Sequence, residues 1–424
     1  MQSATHVTST PSRLVSVDFL RGVVMVLMAL DHTRGMVNGT SVDATDLAHT
    51  NAALFLTRWV THFCAPIFVF LAGTGAFLSL TRGKSQSELS RFLWTRGLWL
   101  VFLEFTVVRM GWSFRLGSPF VVGQVIWVLG CSMIILAGLV WLPTAVVAVF
   151  GVAMIGLHNL LDGLQAESFG AFASVWGILH LGYNLKLAHN FEFRPLYALV
   201  PWVGVMAAGY GFGSFYTLEP KIRRQKLFWL GLGLSAAFVA IRAANIYGDP
   251  HPWSHQKNFL FTCFSFVNCT KYPPSLLFLL MTLGPGILLL ALLDRRLNPS
   301  EREQPRARDV AARDATPREN GPRSAVPAFA LATRAFVTFG RVPLFYYLLH
   351  LPIIHLLAVV AAYPNYRPAI GSFYFAHPPV DSGYGHELWV VYFVWIVAVL
   401  LLFHFCSWFA CVKQRHRSPW LSYL

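Results

Sequence analysis

The segment Ser16 to Gly35, SVDFLRGVVMVLMALDHTRG, has the length of a membrane-crossing helix, yet it carries Asp18, Arg21, Asp31, His32 and Arg34. An ionisable group near mid-bilayer costs roughly 2.5 to 3.5 kcal/mol on insertion scales, so such groups turn toward the protein interior and mark ion pairs or sites. At about 100° per residue, Asp18 and Arg21 are neighbours, and His32 returns to within about 20° of Arg21. One stripe therefore carries Asp18, Arg21, Gly22, Met25, Met28, Ala29 and His32. The first two read as a structural ion pair. Asp31 and Arg34 fall off the stripe and read as boundary charges, which leaves His32 without a sequence-local partner.

A second apolar run, TRWVTHFCAPIFVFLAGTGAFLSL, brings His62 to the same membrane face, four residues before Pro66, with Gly73 on the His62 side for close helix packing. A neutral histidine accepts a proton from an attacking hydroxyl or amine, which makes two histidines at one depth a candidate acid–base site. Glu104 and Arg109 share a third run but lie about 140° apart, so each is expected to meet partners on other helices. His350 and His355 in RVPLFYYLLHLPIIH are likewise separated by about 140°. A polar loop before the eighth run supplies Trp253, Asn268, Lys271 and Tyr272, which read either as interfacial anchors or as groups around a mouth. Phosphate-loop, dinucleotide-binding and H-E-x-x-H motifs are absent, and no His or Cys spacing suggests a metal.

The elements that hold these residues follow from composition. The 424-residue chain is 55% hydrophobic and only 12% charged, which places it among polytopic membrane proteins. A formal charge of +14 could suggest nucleic acid, but the Lys and Arg residues sit mostly in loops between apolar runs, the pattern of inner-leaflet contact. Ten spans are expected, near 14–36, 54–81, 92–112, 119–140, 143–161, 195–217, 227–247, 273–294, 341–363 and 387–411. The basic clusters around Arg82, Lys221, Arg295 to Arg323 and Lys413 fall on one side only if residues 168–185 do not cross, which puts both termini in the cytoplasm. The first span has no cleavage site after it and reads as retained. Charge and Pro in 297–324 predict a disordered basic linker. Cys263 and Cys269 share one polar loop and would pair only in an oxidising compartment.

Together, RLVSVDFLRGVVMVLMALDH, TRWVTHFCAPIFVFLAGTGAFLSL, FRPLYALVPWVGVMAAGYGFG, TKYPPSLLFLLMTLGPG and FGRVPLFYYLLHLPIIH resemble bacterial membrane proteins related to heparan-alpha-glucosaminide N-acetyltransferase, within a wider transmembrane acyltransferase group. The resemblance implies an all-α polytopic bundle of about ten helices: a tail at 1–13, a catalytic domain over 14–296 and 325–412 interrupted by the 297–324 linker, and a second tail at 413–424. It implies transfer of an acetyl or other acyl group from cytosolic acetyl-CoA to a sugar or glycolipid acceptor across the membrane, in the bacterial inner (cell) membrane. A histidine between the first two catalytic spans is implicated, a region holding His49 and His62 here; His62 is preferred for its fixed place at a helix start.

On this reading His62 is the general base and His32 orients or assists, with an acyl-histidine intermediate as a second route. Asp18, Arg21, His49, Glu104, Arg109, Lys271, Tyr272 and His350 support substrate. Arg82, Lys84, Arg91, Lys221, Arg223 and Arg224 meet the phosphates of CoA. The competing reading is a transporter or flippase that uses the same intramembrane charges. The bilayer is the obligatory partner, nucleic acid is not expected, and a homodimer is an open option.

Overall fold

A computed structural model of the protein describes residues 14–38, 43–114, 120–188, 191–297, 328–363 and 384–416, together with 418 and 421. The expected tail at 1–13 lies outside these residues, as does the 297–324 linker apart from its first residue, whereas residues 413–415 of the second expected tail continue the last helix. Helix α1 runs Val15–Val37. Helix α2 (Ala52–Val60) passes through a tight turn at Thr61–Phe63 into α3 (Cys64–Thr81), so 52–81 form one apolar rod. Helix α4 (Gln86–Leu103) continues through a widened π turn at Glu104–Val108 into α5 (Arg109–Ser113). Then come α6 (Val125–Leu139), α7 (Thr144–Leu157), the single turn α8 (Ala173–Trp176), α9 (Leu199–Phe212), α10 (Pro220–Ala244) and α11 (Phe259–Val267). The long α12 (Leu276–Leu297), α13 (Ala328–Arg341), α14 (Pro343–Ala362) and α15 (Leu388–Arg415) complete the bundle.

Among the described residues, six helical segments are long and apolar enough to cross a membrane: 52–81, 144–161, 220–244, 276–297, 343–362 and 388–415. Their outward faces carry side chains that water would not tolerate, such as Val149 (68% exposed), Trp229 (67%) and Leu400 (64%), which identifies lipid as their solvent. Helix α1 has the length to span, at 23 residues, but its charged residues set it apart. It lies inside, packed against α3, α13, α14 and α15.

Glycine permits that burial at two points. A Cβ on Gly22 would overlap the carbonyl oxygen of Phe336, and one on Gly340 would overlap that of Asp18, so α1 and α13 touch backbone to backbone. Gly73 and Gly209 do the same for α3 and α9, where Thr74 Oγ1 also donates to the Gly209 carbonyl at 3.0 Å. Helix α15 is tied to α1 by Trp395 Nε1, which donates to the Val26 carbonyl at 3.0 Å, and the segment leading into it by Tyr384 Oη, which donates to the Met36 carbonyl at 3.0 Å.

The fold departs from an all-helical reading at one end of the bundle. Strands β1 (Phe120–Gly123), β2 (Leu185–Ala188) and β3 (Phe191–Pro195) form a small sheet in the order β1-β3-β2, with β1 parallel and β2 antiparallel to β3. The run 119–140, expected to be one span, is thus a strand followed by a 15-residue helix. Residues 166–181 form short turns and α8, broken at Gly170 where φ is +49°, and no single helix there has the length to cross. Cys263 and Cys269 are separate thiols, the first exposed and the second buried.

Candidate active site

Near the C-terminal end of α1, His32 Nδ1 lies 2.7 Å from Nε2 of His350, the mid-helix histidine of α14. His350 Nδ1 in turn lies 2.5 Å from the carbonyl oxygen of Tyr347, one turn back. A carbonyl can only accept, so His350 Nδ1 carries the hydrogen and its Nε2 presents a lone pair. His32 must then donate from Nδ1, which leaves its own Nε2 as the free basic nitrogen. The ring is held further by Trp112, edge-on at 4.9 Å. Both histidines keep a fixed tautomer because a backbone carbonyl anchors the chain of hydrogen bonds.

His32 lines a narrow cavity of about 30 Å³ together with Met28, Asp31, Thr61, Cys64, Ala65, Phe68, Gln124, Val125, Tyr197 and Lys271. Its wall is assembled from α1, the Thr61 turn, α3, the start of α6, the segment after β3 and the strap before α12. Asp31 is a member of this wall and not merely a boundary charge. It accepts from Arg58 Nη1 at 2.6 and 2.5 Å and from Arg34 at 3.3 Å. Tyr197 and Tyr272 face each other across the strap, hydroxyl to hydroxyl at 3.5 Å.

A second cavity, of about 230 Å³, opens toward the N-terminal half of α1 between Arg21, Ser79, Phe92, Arg96 and Pro343. Phe68 lines both cavities. Arg21 and His32 are 11 residues apart, or about 16 Å along the helix. The polar stripe of α1 therefore borders one cavity near Arg21 and the other near His32, and Phe68 belongs to the wall of each.

His62 is buried in the turn between α2 and α3, where its ring meets Phe278 edge-on at 5.4 Å and its Nδ1 has no hydrogen-bond partner. Its neighbours Thr61 and Cys64 reach the cavity, and His62 is not among the lining residues. The structure thus pairs His32 with His350 rather than with His62. His49 lies on an exposed loop, its Nδ1 2.7 Å from Asp46 Oδ2, an interaction that holds the Asp46 carboxyl below its ordinary value.

Asp18 and Arg21 approach within 3.9 Å, and Arg21 also donates to the Leu71 carbonyl at 2.6 Å. Glu104 accepts from the backbone N–H of Trp127 at 3.0 Å, in the first turn of α6, and so satisfies a helix N-terminus inside the bundle. Arg109 begins α5, away from the lining of either cavity. His355 faces the Gly111 carbonyl and stacks on Phe114 at 4.2 Å, clear of His350.

Among the expected CoA-binding cations, Arg82, Lys84, Arg91 and Lys221 are exposed and Arg224 is half-buried. Arg223 is committed elsewhere: its Nε and Nη2 donate to Asp294 at 3.0 and 2.8 Å in a buried pair between α10 and α12. Arg96, Phe68, Gln124, Arg58 and Tyr197 reach the cavities or their walls without having stood out as site residues. Their only sequence signal is membership in the conspicuous apolar runs.

Comparison with protein families matches the model described as heparan-alpha-glucosaminide N-acetyltransferase, catalytic, over residues 13–247, more than half of the chain. The chain belongs to this family. A search of characterised proteins returned no match. The heparan-alpha-glucosaminide N-acetyltransferase match takes in α1 through α10, and with them His32, Asp31, Arg58, Phe68 and Gln124. His350 and Lys271 lie beyond the matched residues and close the same site from α14 and the strap before α12.

Proposed function

We propose that this membrane acyltransferase moves an acetyl group from cytosolic acetyl-CoA to a sugar or other envelope acceptor on the far side of a bacterial inner membrane, with His32 as general base. The observation that carries this reading is the His32–His350 hydrogen bond, which leaves a neutral, oriented imidazole nitrogen at a small buried cavity. In the proposed orientation the N-terminal end of α1 is cytoplasmic. The larger cavity, with Arg21 and Arg96, then receives the donor from the cytoplasm, where guanidinium groups suit phosphate. Its acyl end extends past Phe68 toward His32.

The chemistry asked of these residues is modest. His32 Nε2 takes the proton from the acceptor amine or hydroxyl as that atom attacks the thioester carbon, and returns it to the departing CoA thiolate. His350 accepts from His32 Nδ1 throughout and keeps Nε2 aimed. His62, buried against Phe278, supports the wall rather than the proton transfer.

The test is thiol release from acetyl-CoA by purified protein, with glucosamine as acceptor. Loss of His32 (His32→Ala) is expected to lower turnover by about 10² to 10⁴-fold, the range of general base catalysis. Wild-type turnover in that variant would overturn the base assignment.

A further inference from the structure

We propose that Lys271 is the electrophilic partner of His32: its ammonium stabilises the negative charge that develops on the acyl carbonyl oxygen during transfer. The inference rests on the acyltransferase reading above and assigns a catalytic group outside the family match.

Three observations converge on it. The first is size. A cavity needs roughly 10–15 Å³ to hold one water, and this one measures about 30 Å³. A cavity of that order is matched to an acetyl head and an attacking atom rather than to a whole sugar ring, which sets the polar groups lining it beside the reacting acyl group.

The second is charge. Asp31 is the only carboxylate among the lining residues, and it is already engaged by Arg58 and Arg34. Lys271 is 9% exposed and has no ion pair among the described residues. Lys271 thus feels the Asp31 charge without pairing with it directly, which leaves its ammonium available to an anion that appears in the cavity.

The third is rigidity. The strap that carries Lys271 is fixed on both sides. Asp249 accepts from the Thr270 N–H at 2.8 Å and from Ser275 Oγ at 2.6 Å. Arg242, fully buried, donates to the Asn268 carbonyl at 2.9 Å, and the Pro274 carbonyl accepts from His158 Nε2 at 2.9 Å. A donor carried on a fixed backbone loses less free energy to reorganisation as charge appears.

The acceptor nitrogen or oxygen forms a bond to the acetyl carbon as His32 Nε2 removes its proton, and the carbonyl π pair moves to oxygen, beside the Lys271 ammonium. Collapse of this oxyanion re-forms the carbonyl and breaks the C–S bond, and the CoA thiolate leaves with the proton held by His32.

The experiment follows thiol release from acetyl-CoA with glucosamine, for wild type, Lys271→Met and Lys271→Arg, alongside equilibrium binding of CoA. The expected result for Lys271→Met is a fall in kcat of about 10² to 10³-fold, with CoA affinity changed less than twofold. Lys271→Arg should recover part of the rate, and added methylamine should partly rescue Lys271→Met. Wild-type kcat in Lys271→Met, or a loss confined to KM, would overturn the assignment. Should Lys271→Met not fold, Lys271→Arg carries the test: reduced kcat with unchanged KM supports the role, and wild-type kcat in Lys271→Arg together with failure of methylamine to stimulate Lys271→Gln rejects it. Wild-type protein that releases no thiol from acetyl-CoA would instead strike at the acyltransferase reading, which separates the two failures.

Discussion

His32 Nδ1 and His350 Nε2 stand 2.7 Å apart although 318 residues separate them in the chain. The hydrogen bond settles a chemical question, because the Tyr347 carbonyl fixes the hydrogen on His350 Nδ1 and so makes His32 the donor to His350. Replacing His350 should therefore act on rate through His32. His350→Leu removes the acceptor, frees the wrong His32 tautomer and is expected to lower kcat by about 10² or more. His350→Gln, whose amide oxygen can still accept, should retain more activity than His350→Leu at equal folded yield, measured by thiol release from acetyl-CoA.

The Asp31–Arg58 pair lies in the wall of the small cavity and joins α1 to α2. Removing Arg58 leaves Asp31 with only the longer Arg34 contact at 3.3 Å in a largely buried wall, a loss of roughly 1.5 to 3 kcal/mol for hydrogen bonds to a charged group. Arg58→Met should lower the thermal midpoint of the purified protein in detergent by several degrees. The double change Arg58→Met with Asp31→Asn should lose less than the sum of the two single changes.

Two sets of cations are predicted to behave differently toward the donor. Arg21→Ala and Arg96→Ala should raise KM for acetyl-CoA, by about tenfold each if a charge-assisted hydrogen bond of roughly 1.5 kcal/mol is lost. Arg223→Ala should leave KM near its wild-type value and lower the thermal midpoint, because Arg223 already serves Asp294. Steady-state kinetics and thermal denaturation on the same preparations check both halves.

Gly340 offers a test of the α1–α13 contact. A Cβ there would meet the Asp18 backbone, and backbone cannot yield as a flexible side chain can. Gly340→Val is expected to abolish the folded protein, read as loss of the monodisperse peak in size-exclusion chromatography. Gly138→Val, at a glycine with open space around it, should elute as wild type.

The sequence by itself determined the class of the protein and the positions of most of its helices, because lipid demands runs of apolar residues about 20 long and charge and proline interrupt them visibly. It also singled out the stripe of α1 with His32, since an ionisable group at that depth is expensive wherever it ends up. It did not reveal the strand at Phe120–Gly123, whose four residues read as the start of a span until β3 is there to pair with them. Nor did it reveal which partner each buried group would take. Helical periodicity reports direction around one helix and says nothing of which neighbour stands there. Tertiary packing alone decided that His32 meets His350 and not His62, that Glu104 serves the first turn of α6, that Arg223 is consumed by Asp294, and that Asp31 and Lys271 share one cavity.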